Sequence, residues 1–362
     1  MPEFINARGR GTVDSPPNRF EKNAVETDDG ALEEIARVDP DFEKSRPATE
    51  FLRDETQSII SKNNSPDLGF DASLNPYRGC EHGCAYCYAR PYHEFLGFNS
   101  GIDFETKIMV KPNAAELLEF ELASKRWKPQ NLACSGVTDC YQPIEREAKI
   151  TRACLEVVNR FRNPVGIVTK NALVTRDIDV LQELAAFNCS AVAISLTSLD
   201  ADLSGTLEPR ASRPAGRLQA IRKLTDAGIP AGISLAPVIP GLNDHEIPAI
   251  LEAAADHGAQ FASYTVLRLP YAVKDVFSGW LDRFFPDRKE LVLGRVREMR
   301  GGRDLNNSEF GLRMRGEGIV ADQINQMFKV GAKRAKLDRG RVKLTTEHFR
   351  RLQPGQCELD LF

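Results

Sequence analysis

The chain has 362 residues, 42% of them hydrophobic and 27% charged, which fits one large globular domain with appendages and excludes a fibre or a wholly disordered chain. No stretch approaches the ~20 consecutive apolar residues of a bilayer span, so a cytoplasmic protein without membrane contact is expected. The formal charge of −3 hides an asymmetry, because residues 288–351 carry 17 Lys and Arg against 8 Asp and Glu. A basic segment on an acidic remainder points to phosphate-bearing partners, with a solvated helix surface as the plainer alternative. In chain order, residues 1–50 are polar and broken by Arg8, Arg10, Pro16 and Pro17, which predicts a flexible, disordered or loosely docked N-terminal arm.

From about residue 66, β-rich runs alternate with helical patterns, the signature of repeated βα units and a parallel sheet. The expected strands are 70–77, 132–137, 165–169, 191–197, 231–238 and 261–267, and the expected helices 113–126, 147–161, 176–187, 214–227 and 244–257. Gly228 and Pro230 stop the fourth of these helices, and Asp244 is placed to cap the fifth. This α/β pattern allows a partial barrel or an open doubly wound sheet. Either one gathers functional residues at the C-terminal ends of the strands. The alternation covers a core of residues 66–270. An Arg-rich, Gly-punctuated run over 271–351 predicts a smaller, mainly helical basic extension, followed by a tail, 352–362.

Of eight cysteines, three fall in one short window, Cys80, Cys84 and Cys87, and the rest are scattered at 134, 140, 154, 189 and 357. That is not a disulfide framework. The CxxxCxxC spacing follows a predicted strand, and Gly79 and Gly83 let the backbone fold tightly around a compact cofactor. Three soft thiolates can take three corners of an iron–sulfur cubane, and the lack of a fourth nearby cysteine leaves one iron open, as a catalytic metal requires. The alternative is zinc, held by the same cysteines with His82 or His93 as fourth ligand.

The CxxxCxYC pattern after a first strand resembles the radical S-adenosylmethionine (SAM) superfamily. The resemblance implies a partial (βα)6 barrel and a [4Fe-4S] cluster whose open iron chelates SAM. It also implies reductive cleavage of SAM to a 5′-deoxyadenosyl radical. The phrases NPYRGCEHGCAYCYAR, SGVTDCYQPIE, VTKNALVTRD, ISLTSLD and PVIPGLND resemble the spore photoproduct lyase-like, DNA repair photolyase-type branch. By position, the resemblance places Thr138, Asp139 and Lys170 near the methionyl part of SAM and gives Ser195 a ribose or carboxylate contact. It sets Tyr88 beside the adenosyl pocket and Pro237 and Val238 in the loop that contacts adenine. Glu208, Pro209 and Arg210 are expected to face the pocket as well. The branch returns hydrogen from a cysteine near the end of its second strand. Aligned on the Thr138-Asp139 step, that position is Gly136 here, and Cys140 becomes the candidate donor.

The resemblance and the basic segment together imply a lyase-type enzyme for repair or modification of nucleic acid, reduced by a flavodoxin or ferredoxin. Two alternatives stay open: radical chemistry on a protein or small metabolite, and a nucleic-acid-associated Fe-S factor without SAM chemistry. The last residues, Gln356 to Phe362, read Q-x-x-L-x-L-F and resemble the peptides that dock on bacterial sliding clamps; packing on the chain's own barrel is the alternative.

Overall fold

A computed structural model describes residues 9–12, 15–21, 48–340 and 342–352. Among these residues ten strands are formed: β1 (Glu50–Arg53), β2 (Ile60–Lys62), β3 (Ala72–Leu74), β4 (Tyr77–Arg78), β5 (Lys107–Val110), β6 (Leu132–Cys134), β7 (Val165–Thr169), β8 (Ser190–Ser195), β9 (Ala231–Val238) and β10 (Ala262–Val266). Seven make one sheet in the order β10-β9-β8-β7-β6-β3-β2, parallel except for the antiparallel edge strand β2. The six parallel strands are the six expected from the sequence. A small second sheet, β1-β5-β4, brackets the cysteine loop, with β4 before it and β5 after it; β1 and β5 had no counterpart among the expected elements, and β4 begins at the end of the expected strand 70–77.

The register separates two chemically different faces. One row across the sheet is Leu74, Cys134, Ile167, Val192 and Ala231. These side chains share a core with Leu118, Leu155, Leu181, Ile221 and Leu251, from the helices Ala114–Ala123, Ile150–Phe161, Ile178–Ala185, Pro214–Asp226 and Ile247–Asp256. The alternating rows on the opposite face are Ser73-Ala133-Gly166-Ala191, Val168-Ala193-Gly232 and Ser195-Ser234-Ser263. All but Val168 are Ser, Ala or Gly, and Val168 is 44% exposed despite lying in a central strand. Covering of one face by all five helices is the architecture of a partial barrel, since a doubly wound sheet carries helices on both. A filled barrel would stack bulky branched side chains in those inner layers. Here the Phe261 ring covers Gly232 while the other inner positions carry little bulk, so the rest of the concave face is open to a ligand.

Local chemistry explains the helix ends. In helix Ile150–Phe161 the buried positions Ile150, Cys154, Leu155, Val157, Val158 and Phe161 fall on one stripe. Gly228 takes φ +77° just after Pro214–Asp226, as expected of a glycine stop. Asp244 behaves differently from expectation. Its Oδ1 accepts from the Gly241 amide (3.0 Å), closing the turn before the helix instead of capping it.

The described part of the basic extension shares its core with the cysteine loop. Val273, Phe277 and Trp280 of helix Val273–Phe284, and Val292 and Val296 of Lys289–Glu298, pack with Ala85 and Tyr86 of the cysteine loop. Helix Gly318–Arg334 lies on Ile247–Asp256. Residues 342–352 then run beneath the N-terminal ends of the strands. The Thr345 amide donates to Asn188 just before β8 (3.1 Å), and the Arg350 amide to Phe161 before β7 (2.9 Å). Arg351 donates to the carbonyls of Leu122 (3.0 Å) and Trp127 (2.9 Å) ahead of β6. Of the N-terminal arm, residues 9–12 and 15–21 are docked. The tail from residue 353 and the Gln356–Phe362 motif lie outside the described residues.

Candidate active site

The cysteine loop leaves β4 through Gly79, whose φ of +77° suits glycine. The Cys80 amide donates to the Phe104 carbonyl (2.9 Å), Gly83 to Cys80 (3.3 Å) and Cys87 to Cys84 (3.2 Å), so successive turns draw the three thiols together. They are close enough that the charge of Cys84 or Cys87 would raise the Cys80 thiol. A buried Arg90 ties the loop down from below. Its Nε and Nη2 donate to the Cys84 carbonyl (3.1 and 2.9 Å), and Nη1 donates to the carbonyls of Ser100 (3.0 Å) and Gly101 (2.9 Å). Its Nη2 also pairs with Glu105 Oε1 at 2.6 Å. Glu105 in turn accepts from the amides of Gly11 (3.1 Å) and Thr12 (2.9 Å), and a Cβ on Gly11 would collide with the Gly83 carbonyl. The start of the arm is thus fitted under the loop. On its other side, Glu81 accepts from the Ile144 amide (2.7 Å) and pairs with Arg210 (3.0 Å).

The residues fit an iron–sulfur cluster better than zinc. Burial pushes all three thiols up, and a metal must displace their protons to bind. Of the two histidines of the zinc alternative, His82 is engaged, whereas the buried Nε2 of His93 has no hydrogen-bond partner. His82 has Nδ1 at 3.4 Å from Asp139 and Nε2 at 3.3 Å from Asn171, while His93 lies between the rings of Phe98 and Phe104 (5.1 and 5.6 Å). Among the described residues, no three His, Cys, Asp or Glu converge on one metal ion. A cubane instead takes each thiolate on a different iron.

The strand ends bring most of the expected polar residues together beside this loop. Lys170 Nζ donates to Ser195 Oγ (2.7 Å) and the Ala236 carbonyl (2.9 Å), pairs with Glu208 (3.1 Å) and stands 5.5 Å from the Tyr86 ring centre. Asp139 accepts from Thr169 Oγ1 (2.7 Å) and the Lys170 amide (2.8 Å). Burial alone would raise its carboxyl, but His82 beside it and these hydrogen bonds hold it below the usual range. Thr138 donates to the Tyr77 carbonyl (2.7 Å), locking the approach to Cys80. Tyr88 is half-exposed, its hydroxyl 3.3 Å from the Gly136 carbonyl and the Arg268 guanidinium 5.4 Å from its ring centre. Pro237 follows Ala236 in β9, and its carbonyl accepts from Asn243 Nδ2 (3.1 Å).

Two expected residues do not join this group. Cys140 is fully buried in the helical-layer core, its carbonyl accepting from Thr151 Oγ1 (2.6 Å) and its thiol beside Cys134, so it turns away from the concave face. Val238 also packs into that core. Gly136 closes the other route to a hydrogen-donating thiol, since a Cβ there would stand 2.6 Å from the Ser73 Cβ.

Besides the expected Lys170 and Glu208, the site includes Tyr86, Thr197, Arg90 and Arg217, which the sequence alone did not assign to it. Tyr86, Thr197, Lys170 and Arg217 all converge on the buried Glu208. Burial opposes its charge, but Arg217 and Lys170 hold the carboxyl well below the usual range. Arg90 ends the same phrase that carries the cysteines, yet a lone Arg gives no sign of whether it turns inward. Arg217 sits in an ordinary amphipathic helix and carries no such mark.

A radical SAM superfamily model matches residues 74–254. The chain belongs to the radical SAM superfamily. An uncharacterized Mycobacterium tuberculosis protein is 32% identical over 285 residues, covering 76% of this chain and 82% of the relative. An uncharacterized Methanocaldococcus jannaschii protein is 30% identical over 243 residues, covering 67% and 86%. A structure of spore photoproduct lyase with bound AdoMet and dinucleoside spore photoproduct matches with a TM-score of 0.55 at 15% identity, over 78% of each chain. That likeness shows a shared fold. The superfamily uses a [4Fe-4S] cluster and SAM, and among the described residues of this radical SAM protein no helix is long and apolar enough to cross a membrane.

Proposed function

We infer that this radical SAM enzyme acts on DNA, repairing or modifying a base. The observation that carries the reading is the open concave face ending at the cysteine loop, where small side chains leave room for a bulky substrate group. The fold shared with spore photoproduct lyase, which is solved with a dinucleoside lesion, favours a nucleobase over a peptide or metabolite. Bound there, the cluster and SAM supply a one-electron cleavage that yields a radical able to abstract hydrogen from carbon.

The chain's own residues hold and orient. Cys80, Cys84 and Cys87 are the cluster ligands, with the buried Arg90 keeping their loop in place. Lys170, Ser195 and Asp139 offer a cation, a hydroxyl and a carboxylate for the charged ends of SAM, while Thr138 and Pro237 shape the neighbouring backbone. Glu208 is a positioning residue, holding Lys170 forward by its charge. Tyr88, at the rim, is the candidate for returning hydrogen, because Cys140 faces the helices. We assign reduction to a flavodoxin or ferredoxin type of donor, and the Gln356–Phe362 segment to a sliding clamp.

The basic segment contributes less to this site than its charge suggests. Arg300 donates to the carbonyls of Leu312 (3.0 Å) and Arg313 (3.1 Å), Arg313 pairs with Asp67 (2.5 Å) and Lys289 pairs with Asp282 (2.7 Å). Lys329, Lys333, Arg334, Lys336, Arg339 and Lys343 are exposed. Lys329 and Lys333 line a groove of about 440 Å³ with Ala262, at the N-terminal end of β10 and so opposite the cysteine loop. DNA held there would be a second contact and not the reacting one.

The test is anaerobic: SAM, dithionite and the reconstituted protein, with 5′-deoxyadenosine measured with and without irradiated or deuterated DNA. Stimulation by DNA, with deuterium carried into 5′-deoxyadenosine, is expected. Cleavage indifferent to DNA but stimulated by a peptide or metabolite would refute the DNA reading.

A further inference from the structure

The cluster side of the molecule carries an unusual concentration of exposed rings. Phe20, Tyr88, Tyr92, Phe95 and Tyr271 are between 41% and 67% exposed, although large aromatic side chains are ordinarily covered. They come from three separate segments that meet around the cysteine loop. Tyr92 and Phe95 lie on the short helix Arg90–Leu96 that follows Cys87, Tyr271 lies beyond the C-terminal end of β10, and Phe20 lies in the docked part of the arm. Arg19, paired with Glu94 at 3.0 Å, binds three of the rings into one patch. Its guanidinium is 4.8 Å from the Phe20 centroid, 5.4 Å from Phe95 and 4.0 Å from Tyr271.

Next to this patch is an arginine without an acidic partner. Arg268 follows β10, its Nε is buried with no hydrogen-bond partner, and its Nη1 meets the Met314 sulfur at 3.6 Å. Among the described residues no carboxylate or carbonyl hydrogen-bonds to it: the nearby Asp67 attracts it but is already bonded to Arg313, and Arg300 and Arg313 add positive charge. A desolvated guanidinium left unpaired is costly unless an anion arrives to complete it. Flat exposed rings interleaved with unsatisfied positive charge match one ligand chemistry above others: bases with open faces joined by phosphates. Duplex DNA hides its base faces in the stack, so these rings can be used only by unpaired bases.

We propose that this rim binds an unpaired DNA strand, with Tyr92, Phe95 and Tyr271 stacking on bases that flank the reacting one and Arg268 meeting a backbone phosphate. The proposal rests on the DNA reading above and narrows it to single-stranded or locally opened DNA. It also gives the exposed rings a use that barrel packing does not.

The experiment measures anisotropy of a labelled 12-nucleotide DNA strand, the same sequence as duplex, and the same sequence as RNA, with the full-length reconstituted protein. The DNA strand is expected to bind at least tenfold more tightly than the duplex. Tyr92→Ala, Phe95→Ala and Tyr271→Ala are each expected to weaken strand binding roughly tenfold, as lost stacking does. Arg268→Gln is expected to lower the salt slope by about 0.7, the value for one phosphate on a single strand. Melting temperature and SAM cleavage without DNA serve as controls for the three ring variants, whose side chains are at the surface. Equal affinity for strand and duplex, tighter binding of RNA, or ring variants that bind like wild type would overturn the proposal. So would ring variants that lose reduction by flavodoxin while keeping strand affinity, since the rim would then belong to the electron donor. SAM cleavage stimulated by duplex DNA, alongside any of those results, would leave the DNA reading intact; cleavage indifferent to all DNA would remove it.

Discussion

Replacing Arg90 with Met keeps most of the side-chain volume and removes its charge. In the folded chain the guanidinium satisfies the carbonyls of Cys84, Ser100 and Gly101 and pairs with Glu105 at 2.6 Å, all of it out of contact with solvent. Breaking a buried pair from one side typically costs 3–5 kcal/mol, because the remaining charge stays desolvated. The amides of Gly11 and Thr12 still reach Glu105 and should moderate the loss, so about 3 kcal/mol is expected from a total stability on the order of 10 kcal/mol. Urea unfolding under anaerobic conditions would report this as a lower midpoint at unchanged slope. Iron and sulfide content should fall with it, since the Cys84 carbonyl loses both guanidinium donors and keeps only the Cys87 amide. The double variant Arg90→Met/Glu105→Leu should recover part of the stability, with a coupling of roughly 0.5–3 kcal/mol. A single variant within about 0.5 kcal/mol of wild type that keeps its full iron content would refute the claim that Arg90 supports the loop.

Cys80→Ala, Cys84→Ala and Cys87→Ala should each abolish the cluster, seen as loss of the brown colour and of bound iron; a Cys84→Ala protein that assembles four irons and cleaves SAM would reject the ligand assignment. Ala193→Phe should fill the concave face next to Val168 and Gly232, leaving iron content unchanged while DNA-dependent SAM cleavage is lost; retained DNA stimulation would place the substrate elsewhere. Burial lowers His93 from the ordinary 6.5 to about 4, so the folded state favours the neutral ring. Its contribution is complete above pH 6.5 and declines as the pH falls toward 4, because the unfolded chain takes up the proton first. The effect is on the order of 3 kcal/mol over that window, and wild type should lose its advantage over His93→Phe between pH 7 and 5; a pH-independent difference would contradict this.

The barrel was legible because its strands are short, β-rich and separated by helices with clear stops, so β7 and β9 coincide with the expected 165–169 and 231–238. The cysteine ligands were legible because one loop holds all three. What could not be read was which way a residue faces across the sheet. Cys140 lies one residue beyond Asp139, yet Asp139 meets the Lys170 amide while Cys140 packs under the helices. Near the end of a strand, a single-residue step reverses direction, and sequence spacing across a loop does not fix the count. The small sheet β1-β5-β4 was missed because its strands are only two to four residues long. The basic segment 288–351 was read as a whole, and net charge does not say which of its members are internal: Arg300, Arg313, Arg350 and Arg351 meet carbonyls or a carboxylate of the chain.

The contact between Gly11 and Gly83 changes what should count as the catalytic unit. A version of the chain trimmed to begin at residue 66, where the βα repeat starts, would retain all six parallel strands and all three ligands. It would still lack the two amides that Glu105 accepts from Gly11 and Thr12, and a buried carboxylate below the metal cradle would be left short of donors. Such a shortened protein could be helical, soluble and correctly folded by most criteria, yet lose iron on purification. The Gly11–Thr12 segment is therefore part of the housing of a cofactor whose ligands appear some seventy residues later.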